Sequence, residues 1–291
     1  MSNKKTVELI MPPEGFLFSS FASNHYFTEI LRGVLAVSNL FSWDITINHN
    51  ILRKGQRDYK IACDEEVTKG LLLVAPILSE KNIEEINGLS VPAIVVNARY
   101  PQVNYVDTNN IEGAKKAVEY LIKKGHSKIA AINGLMETTN AVDRFEGYKQ
   151  ALAENHFELD EGLVRYGTFY EDSGYKEMND ILEPEDEGLD ARKDFTAVFC
   201  GNDLMAFGVI RALNEHKLRV PENVSVIGFN DHIISSYYSP PLTTVRQQLF
   251  HLGKEAMTTM INLIEKKVSG LQHLEMETRL IERDSVLPCG T

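Results

Sequence analysis

Short apolar runs alternate with amphipathic stretches along most of the chain. The runs cover 7–11, 45–47, 70–75, 93–96, 128–132, 196–200 and 224–229, each rich in Val, Ile, Leu, Phe or Ala and bounded by Pro, Gly, Asn or Asp. Strands of a parallel sheet covered by helices on both faces need apolar residues at consecutive positions, which is how these runs read. The stretches between them carry helical spacing. In 110–124, Ile111, Ala114, Val118, Leu121 and Ile122 fall on one face, as a helix with one buried side requires. Gly125 ends that helix, and Lys123 and Lys124 place cations in its last turn, where the helix dipole favours them. In 203–216 the apolar set is Leu204, Phe207, Val209, Ile210 and Leu213, with Asn202 or Asp203 as N-cap. Two strand–helix series result, 6–108 and 109–240, followed by a strand at 243–246, a helix at 249–267 and an extended segment at 274–284. The fold class is therefore α/β, with two doubly wound parallel-sheet lobes.

Size agrees: 291 residues suit two lobes of about 130–150 residues each. The net charge of −11, with lysines and arginines in no grouping denser than pairs such as Lys123-Lys124, argues against a surface for a phosphate backbone, which needs clustered cations. Cys63, Cys200 and Cys289 are far apart and odd in number, so neither a disulfide scaffold nor a metal site is expected, and a reducing compartment is. The N-terminus has no secretory pattern, and no stretch approaches the roughly 18 apolar residues that span a bilayer. The expected location is cytoplasmic, away from membranes. The acidic stretch 183–194 reads as a solvated loop.

In open α/β sheets ligands sit beyond the carboxyl ends of the strands. The polar residues there are Asn97 and Arg99, Asn133, Asn202 and Asp203, and Asn230 and Asp231. Asn and Asp also end strands for turn chemistry alone. Amides converging on one edge, however, offer the paired donors and acceptors that sugar hydroxyls demand. Arg144, at the start of a helix, either aims its planar fork into a cleft or pairs at the surface with Asp143 or Glu146. Enzyme signatures are missing: there is no G-x-S-x-G elbow, phosphate-binding glycine loop or zinc-binding histidine pair. No catalytic residue, cofactor or metal is expected.

Six passages, in order along the chain, resemble the LacI/GalR regulators. They are Val106-Asp107-Thr108-Asn109-Asn110-Ile111-Glu112-Gly113-Ala114, then Lys124-Gly125-His126-Ser127-Lys128-Ile129, then Arg144-Phe145-Glu146-Gly147-Tyr148. After these come Phe199-Cys200-Gly201-Asn202-Asp203 leading to Gly208, Gly228-Phe229-Asn230-Asp231, and Pro240-Pro241-Leu242-Thr243-Thr244-Val245. The resemblance implies a periplasmic-binding-protein-like clamp of two lobes joined by a three-strand hinge. Its division would be 6–108 plus 243–271 and 109–242 plus 272–287. It implies ligand contacts from Phe16, Phe18, Tyr26, Phe27, Asn97, Asn140, Arg144, Phe169, Asn202 and Asn230. The expected role is the effector-binding core of a transcription regulator or repressor that senses a sugar-like small molecule. The alternative is a stand-alone or transport-associated sugar-binding protein. A homodimer is implied, through 26–41 and 231–238, as is operator DNA bound by a helix-turn-helix that this chain does not contain. Closing of the clamp would shift the population of DNA-competent dimers. Two positions depart from the family: Asn97 and Asn230 are amides where carboxylates are usual, which implies a less anionic site that fits a neutral carbohydrate and leaves room for an acidic or phosphorylated sugar.

Overall fold

A computed structural model describes residues 5–11, 24–48, 52–53, 56–57, 66–183 and 195–290. Phe16, Phe18, Cys63 and most of the acidic stretch at 183–194 lie outside the described residues. The chain forms two compact units, Met1–Thr108 with Gln248–Met276, and Asn109–Gln247 with Glu277–Thr291.

The first unit begins with β1 (Thr6–Ile10), α1 (Asn24–Leu40), β2 (Asp44–Asn48) and two short strands, β3 (Leu52–Arg53) and β4 (Gln56–Arg57). It continues through β5 (Thr68–Val74), α2 (Glu80–Asn87), β6 (Ala93–Val96) and β7 (Asn104–Thr108). The second unit contributes α3 (Asn110–Lys123), β8 (Ile129–Asn133), α4 (Thr139–Glu154), β9 (Val164–Tyr166) and α5 (Glu171–Leu182). Then come β10 (Ala197–Cys200), α6 (Asp203–Glu215), β11 (Ser225–Asn230) and β12 (Thr243–Arg246). The chain returns to the first unit for α7 (Leu249–Ile264) and β13 (His273–Met276), and to the second for β14 (Arg279–Ile281).

Sheet order is β13-β7-β6-β5-β1-β2 in the first unit and β14-β12-β11-β10-β8-β9 in the second. Every pairing in these two sheets is parallel except β12 with β14. The strands β1, β6, β8 and β10 are buried at every position, which is why β6 and β10 are continuously apolar, while the buried Glu8 of β1 accepts hydrogen bonds from Asn48 and Thr68. Each side chain such as Leu9, Ile94 or Ile132, fully withdrawn from water, contributes about 1.5–3 kcal/mol.

Two of the three crossings differ from expectation. The break after Thr108 falls where it was read, but Thr243–Arg246 belongs to the second sheet, paired with β11, not to the first lobe. Likewise 272–276 does not join the second lobe, because β13 pairs with β7 of the first sheet. The crossings therefore follow Gln247 and Met276. The extended tail is two strands, the second antiparallel, so the second sheet is mixed. Both are edge strands with largely exposed or half-exposed side chains, so their apolar pattern did not reveal which sheet each joins.

Helix pairs cover the sheets at close range. Helix α1 crosses α7 where a Cβ on Gly33 would stand 2.0 Å from the Phe250 carbonyl oxygen, and one on Gly253 2.1 Å from that of Ile30. Gly147 of α4 plays the same part against Ile111, where a Cβ would stand 2.2 Å from the carbonyl oxygen. These glycines are absent side chains at backbone crossings, not turn residues. No helix among the described residues is long and apolar enough to cross a membrane.

Candidate ligand-binding site

In the second unit β8, β10 and β11 run parallel and end together at Asn133, Cys200 and Asn230. The chain leaving these ends carries the candidate residues. Thr138 caps α4 by accepting the Ala141 N–H at 3.3 Å. The Asn133 amide donates to the Ala141 carbonyl oxygen at 3.0 Å. Strand end and helix start are thereby tied, which sets the direction in which Arg144 leaves the first turns of α4.

Arg144 is 2% exposed. Its Nε donates to Asn110 Oδ1 at 2.9 Å, and a terminal nitrogen donates to the Gly201 carbonyl oxygen at 2.6 Å. The guanidinium carbon lies 3.9 Å from the centroid of the Phe229 ring and 5.9 Å from that of Phe169. Asn110 in turn donates to Asn140 Oδ1 at 3.3 Å. Arg144 is buried and not at the surface, and Glu146 is ion-paired with Lys149. A guanidinium in this setting is held by planar stacking and directed donors.

Asn202 is the N-cap of α6: its Oδ1 accepts the Met205 N–H at 2.9 Å while its amide donates to the Phe169 carbonyl oxygen at 2.8 Å. Phe169 has φ 69°, a region that non-glycine residues enter at a cost. Its ring lies so close to Gly134 that a Cβ there would stand 2.1 Å from it. Asn230, also at positive φ (109°), accepts from the Gln247 amide at 2.5 Å. The second unit thus joins Asn140, Arg144, Phe169 and Asn202 in one connected set, with Asn230 next to Phe229 in the chain.

The first unit has its own set. Asn97 directly follows β6, with φ 57°, and is fully buried. Its amide donates to the Tyr26 hydroxyl, and its Oδ1 accepts from Thr108 Oγ1 at 3.5 Å. Tyr26 is half-buried, whereas Phe27 sits in the core with Ile30, Val34 and Leu249. Apolar spacing placed Asn110 at a helix start and Phe229 in a strand core, and it marked Gln247 not at all. Their part in the site is carried by distance alone, and no local signal marked it.

Among the described residues no group of three or more His, Cys, Asp or Glu side chains is placed to hold a metal. Cys200 is buried and Cys289 exposed, and neither forms a disulfide.

Comparison with known proteins bears on the family and the fold. The sequence profile of the periplasmic binding protein-like domain matches residues 118–286. The chain is 32% identical over 269 residues to the HTH-type transcriptional repressor PurR of Vibrio atlanticus, covering 91% of this chain and 78% of that protein. It is 31% identical over 287 residues to the HTH-type transcriptional regulator RegA of Clostridium saccharobutylicum, covering 97% and 82%. Among solved structures, the complex of the transcriptional regulator CelR with cellobiose superposes with a TM-score of 0.86 at 28% identity, covering 98% of this chain and 86% of that one. Six ordered motifs, two doubly wound parallel-sheet units and these relatives together make the chain a member of the LacI family of transcriptional regulators, of which it carries the periplasmic-binding-protein-like ligand-binding fold.

Proposed function

We propose that this chain is the effector-sensing core of a ligand-responsive transcription regulator and that its effector is a neutral, hydroxyl-rich small molecule of the sugar class. The observation that carries the reading is the Arg144 hub, a buried guanidinium stacked on Phe229 and bonded to Asn110 and Gly201. Linked to it are the amide of Asn140 through Asn110, the ring of Phe169 and, through the Phe169 carbonyl, the amide of Asn202. Amides both donate and accept, and so match vicinal hydroxyls, while an aromatic face suits the apolar face of a pyranose ring. The relative solved with cellobiose supports the class of ligand. An amide at Asn230, in place of a carboxylate, favours a neutral guest over a cationic one. As in other switches of this kind, the ligand acts only through its differential affinity for two conformations.

In this proposal the regulator works as a homodimer. Leu40 and Phe41 at the end of α1, and Ile233, Ile234 and Tyr237 after β11, are exposed apolar side chains suited to burial against a second copy. Operator DNA would be read by a helix-turn-helix outside the described residues.

A thermal-shift screen against neutral sugars, sugar phosphates and nucleobases tests the assignment. Neutral sugars are expected to raise Tm, and Arg144→Ala to abolish the rise. Stabilisation by nucleobases alone would overturn the sugar class. A sugar shift undiminished in Arg144→Ala would displace the site.

A further inference from the structure

Two asparagines at strand ends of the second unit differ in what their amides leave unspent. Asn202 uses both ends inside the unit, Oδ1 on the Met205 N–H and Nδ2 on the Phe169 carbonyl oxygen. Asn230 uses one: its Oδ1 accepts from Gln247 Nε2 at 2.5 Å. Gln247 is 4% exposed and directly follows β12, whose Arg246 stands opposite Asn230 in the sheet. Asn230 itself is half-buried, and among the described residues no hydrogen bond uses its Nδ2. The backbone there is fixed from both sides. The Phe229 ring stacks on the Arg144 guanidinium. Asp231 is ion-paired with Arg246 and Arg283, and its N–H donates to Thr244 Oγ1 at 3.4 Å. With the backbone placed, the freedom that matters at Asn230 is a half-turn about its Cβ–Cγ bond, which exchanges Oδ1 and Nδ2.

Given the effector reading above, on which this rests, we propose that Gln247 is a specificity-determining residue. Its N–H occupies Asn230 Oδ1, so Nδ2 is the atom that Asn230 offers the effector, and the position acts as a hydrogen-bond donor. The effector group it takes is an acceptor oxygen: a hydroxyl in its accepting role, a ring oxygen or a carbonyl. An ammonium group is refused there, because donor would meet donor. A carboxylate at 230 would accept from Gln247 through one oxygen and from the effector through the other. The amide keeps the first bond and reverses the second.

Two measurements test the assignment, the first without any sugar. In nitrogen–proton NMR spectra of the full chain, the two side-chain amides are identified by the peaks that vanish in Asn230→Asp and in Gln247→Glu. A hydrogen-bonded Gln247 hydrogen is expected to exchange with water about tenfold or more slowly than either Asn230 hydrogen, since it must first break free. Gln247→Glu has acceptors alone at its tip. It is expected to turn the Asn230 amide round and slow one Asn230 hydrogen to the same extent. Asn230 hydrogens that are already the slower pair in the wild type overturn the proposal, as does a Gln247→Glu chain in which they stay fast.

The second measurement reads binding from Tm against concentration, using D-glucose, D-galactose and their monodeoxy and monodeoxyfluoro derivatives at each non-anomeric hydroxyl. Fluorine accepts weakly and never donates, whereas hydrogen does neither. In the wild type one position is expected at which the deoxy sugar binds about tenfold more weakly than its parent while the fluoro sugar stays within about threefold. Asn230→Asp keeps the bond from Gln247 and turns the donor into an acceptor, so there the fluoro sugar is expected to fall to the level of the deoxy sugar. Fluoro sugars no better than their deoxy partners throughout the wild-type series overturn the donor role. An advantage that persists in Asn230→Asp assigns it to another residue and equally overturns the proposal. Arg144→Ala separates the two readings. Sugar binding undiminished in that variant displaces the site, whereas a failed fluoro test with Arg144 still required overturns the role of Asn230 alone. A chain that answers to neither sugar series loses both readings.

Discussion

Arg144 stacks on Phe229, its guanidinium carbon 3.9 Å from the ring centroid, while the same side chain bonds Asn110 and the Gly201 carbonyl. Stacking and forked donation both require a planar cation. Arg144→Lys keeps the charge and loses both. It is expected to lower stability by about 1–3 kcal/mol in urea unfolding and to eliminate the sugar-induced rise in Tm. Retention of the full rise in the lysine variant would show that charge alone suffices and that the fork is not used.

The α1–α7 crossing makes a prediction confined to the first unit. At Gly33 a Cβ would stand 2.0 Å from a backbone oxygen, which no side-chain rotation relieves. Gly33→Ala is expected to cost about 2–3 kcal/mol through forced separation of the helices. Hydrogen exchange should show the loss in 24–40 and 249–264 and leave 197–230 unchanged. Uniform loss across both units would contradict a local origin.

Acid stability follows from His126. The ring is buried, with Nδ1 2.9 Å from Thr196 Oγ1 and Nε2 3.0 Å from the Leu287 carbonyl oxygen. Burial holds its pKa below the ordinary 6.5, outweighing the opposing bond to Leu287. The unfolded chain therefore takes up this proton first, and the stability it confers, present above pH 6.5, is lost as pH falls from there through the folded value. Asp203 works in the opposite sense: with a folded pKa near 7 against 3.8 when unfolded, its contribution is full below about 4 and is lost as pH rises to about 7. His126→Gln is expected to flatten the acid limb of the urea midpoint against pH below 6.5. A limb of unchanged slope would assign the loss to other groups.

Self-association is expected to depend on the segment after β11. Ile233 is 58% exposed and Tyr237 85%, more than a lone surface apolar residue needs explained, but together a patch that a second copy would cover. Ile233→Asp buries nothing in the single chain, so it should leave Tm nearly unchanged while shifting sedimentation from dimer to monomer. A dimer that persists would place the interface elsewhere, with Leu40 and Phe41 the next residues to change.

The sequence made some parts of this molecule readable and hid others. Buried on both sides, strands such as β6 and β10 announce themselves through unbroken apolar runs. The α3 pattern, its stop at Gly125 and the capping role of Asn202 follow from local geometry alone. The glycine of Arg144-Phe145-Glu146-Gly147 stood out only as a motif, and the crossing with Ile111 supplies its reason. By contrast, β7 and β9 carry short mixed patterns that periodicity does not separate from loops. In the site, strand-end position pointed to Asn133, Asn202 and Asn230. Asn110 and Phe229, which hold Arg144, read as an ordinary helix start and core residue.

Local chemistry in the amino-acid order was enough to determine the class of fold, two parallel α/β units, and the edge on which their polar residues gather, because apolar period and turn residues act over a few neighbours. Which sheet takes Thr243–Arg246 and which takes His273–Met276, and which groups surround Arg144 and Asp203, were decided only when distant segments packed. An edge strand such as His273–Met276 presents a weak apolar pattern, Thr243–Arg246 is buried between two neighbours in a way that either sheet could supply, and a buried cation or carboxylate takes its partners from wherever the fold brings a donor, an acceptor or a ring within reach. Those partnerships are set by three-dimensional distance, which the order of residues along the chain does not encode locally.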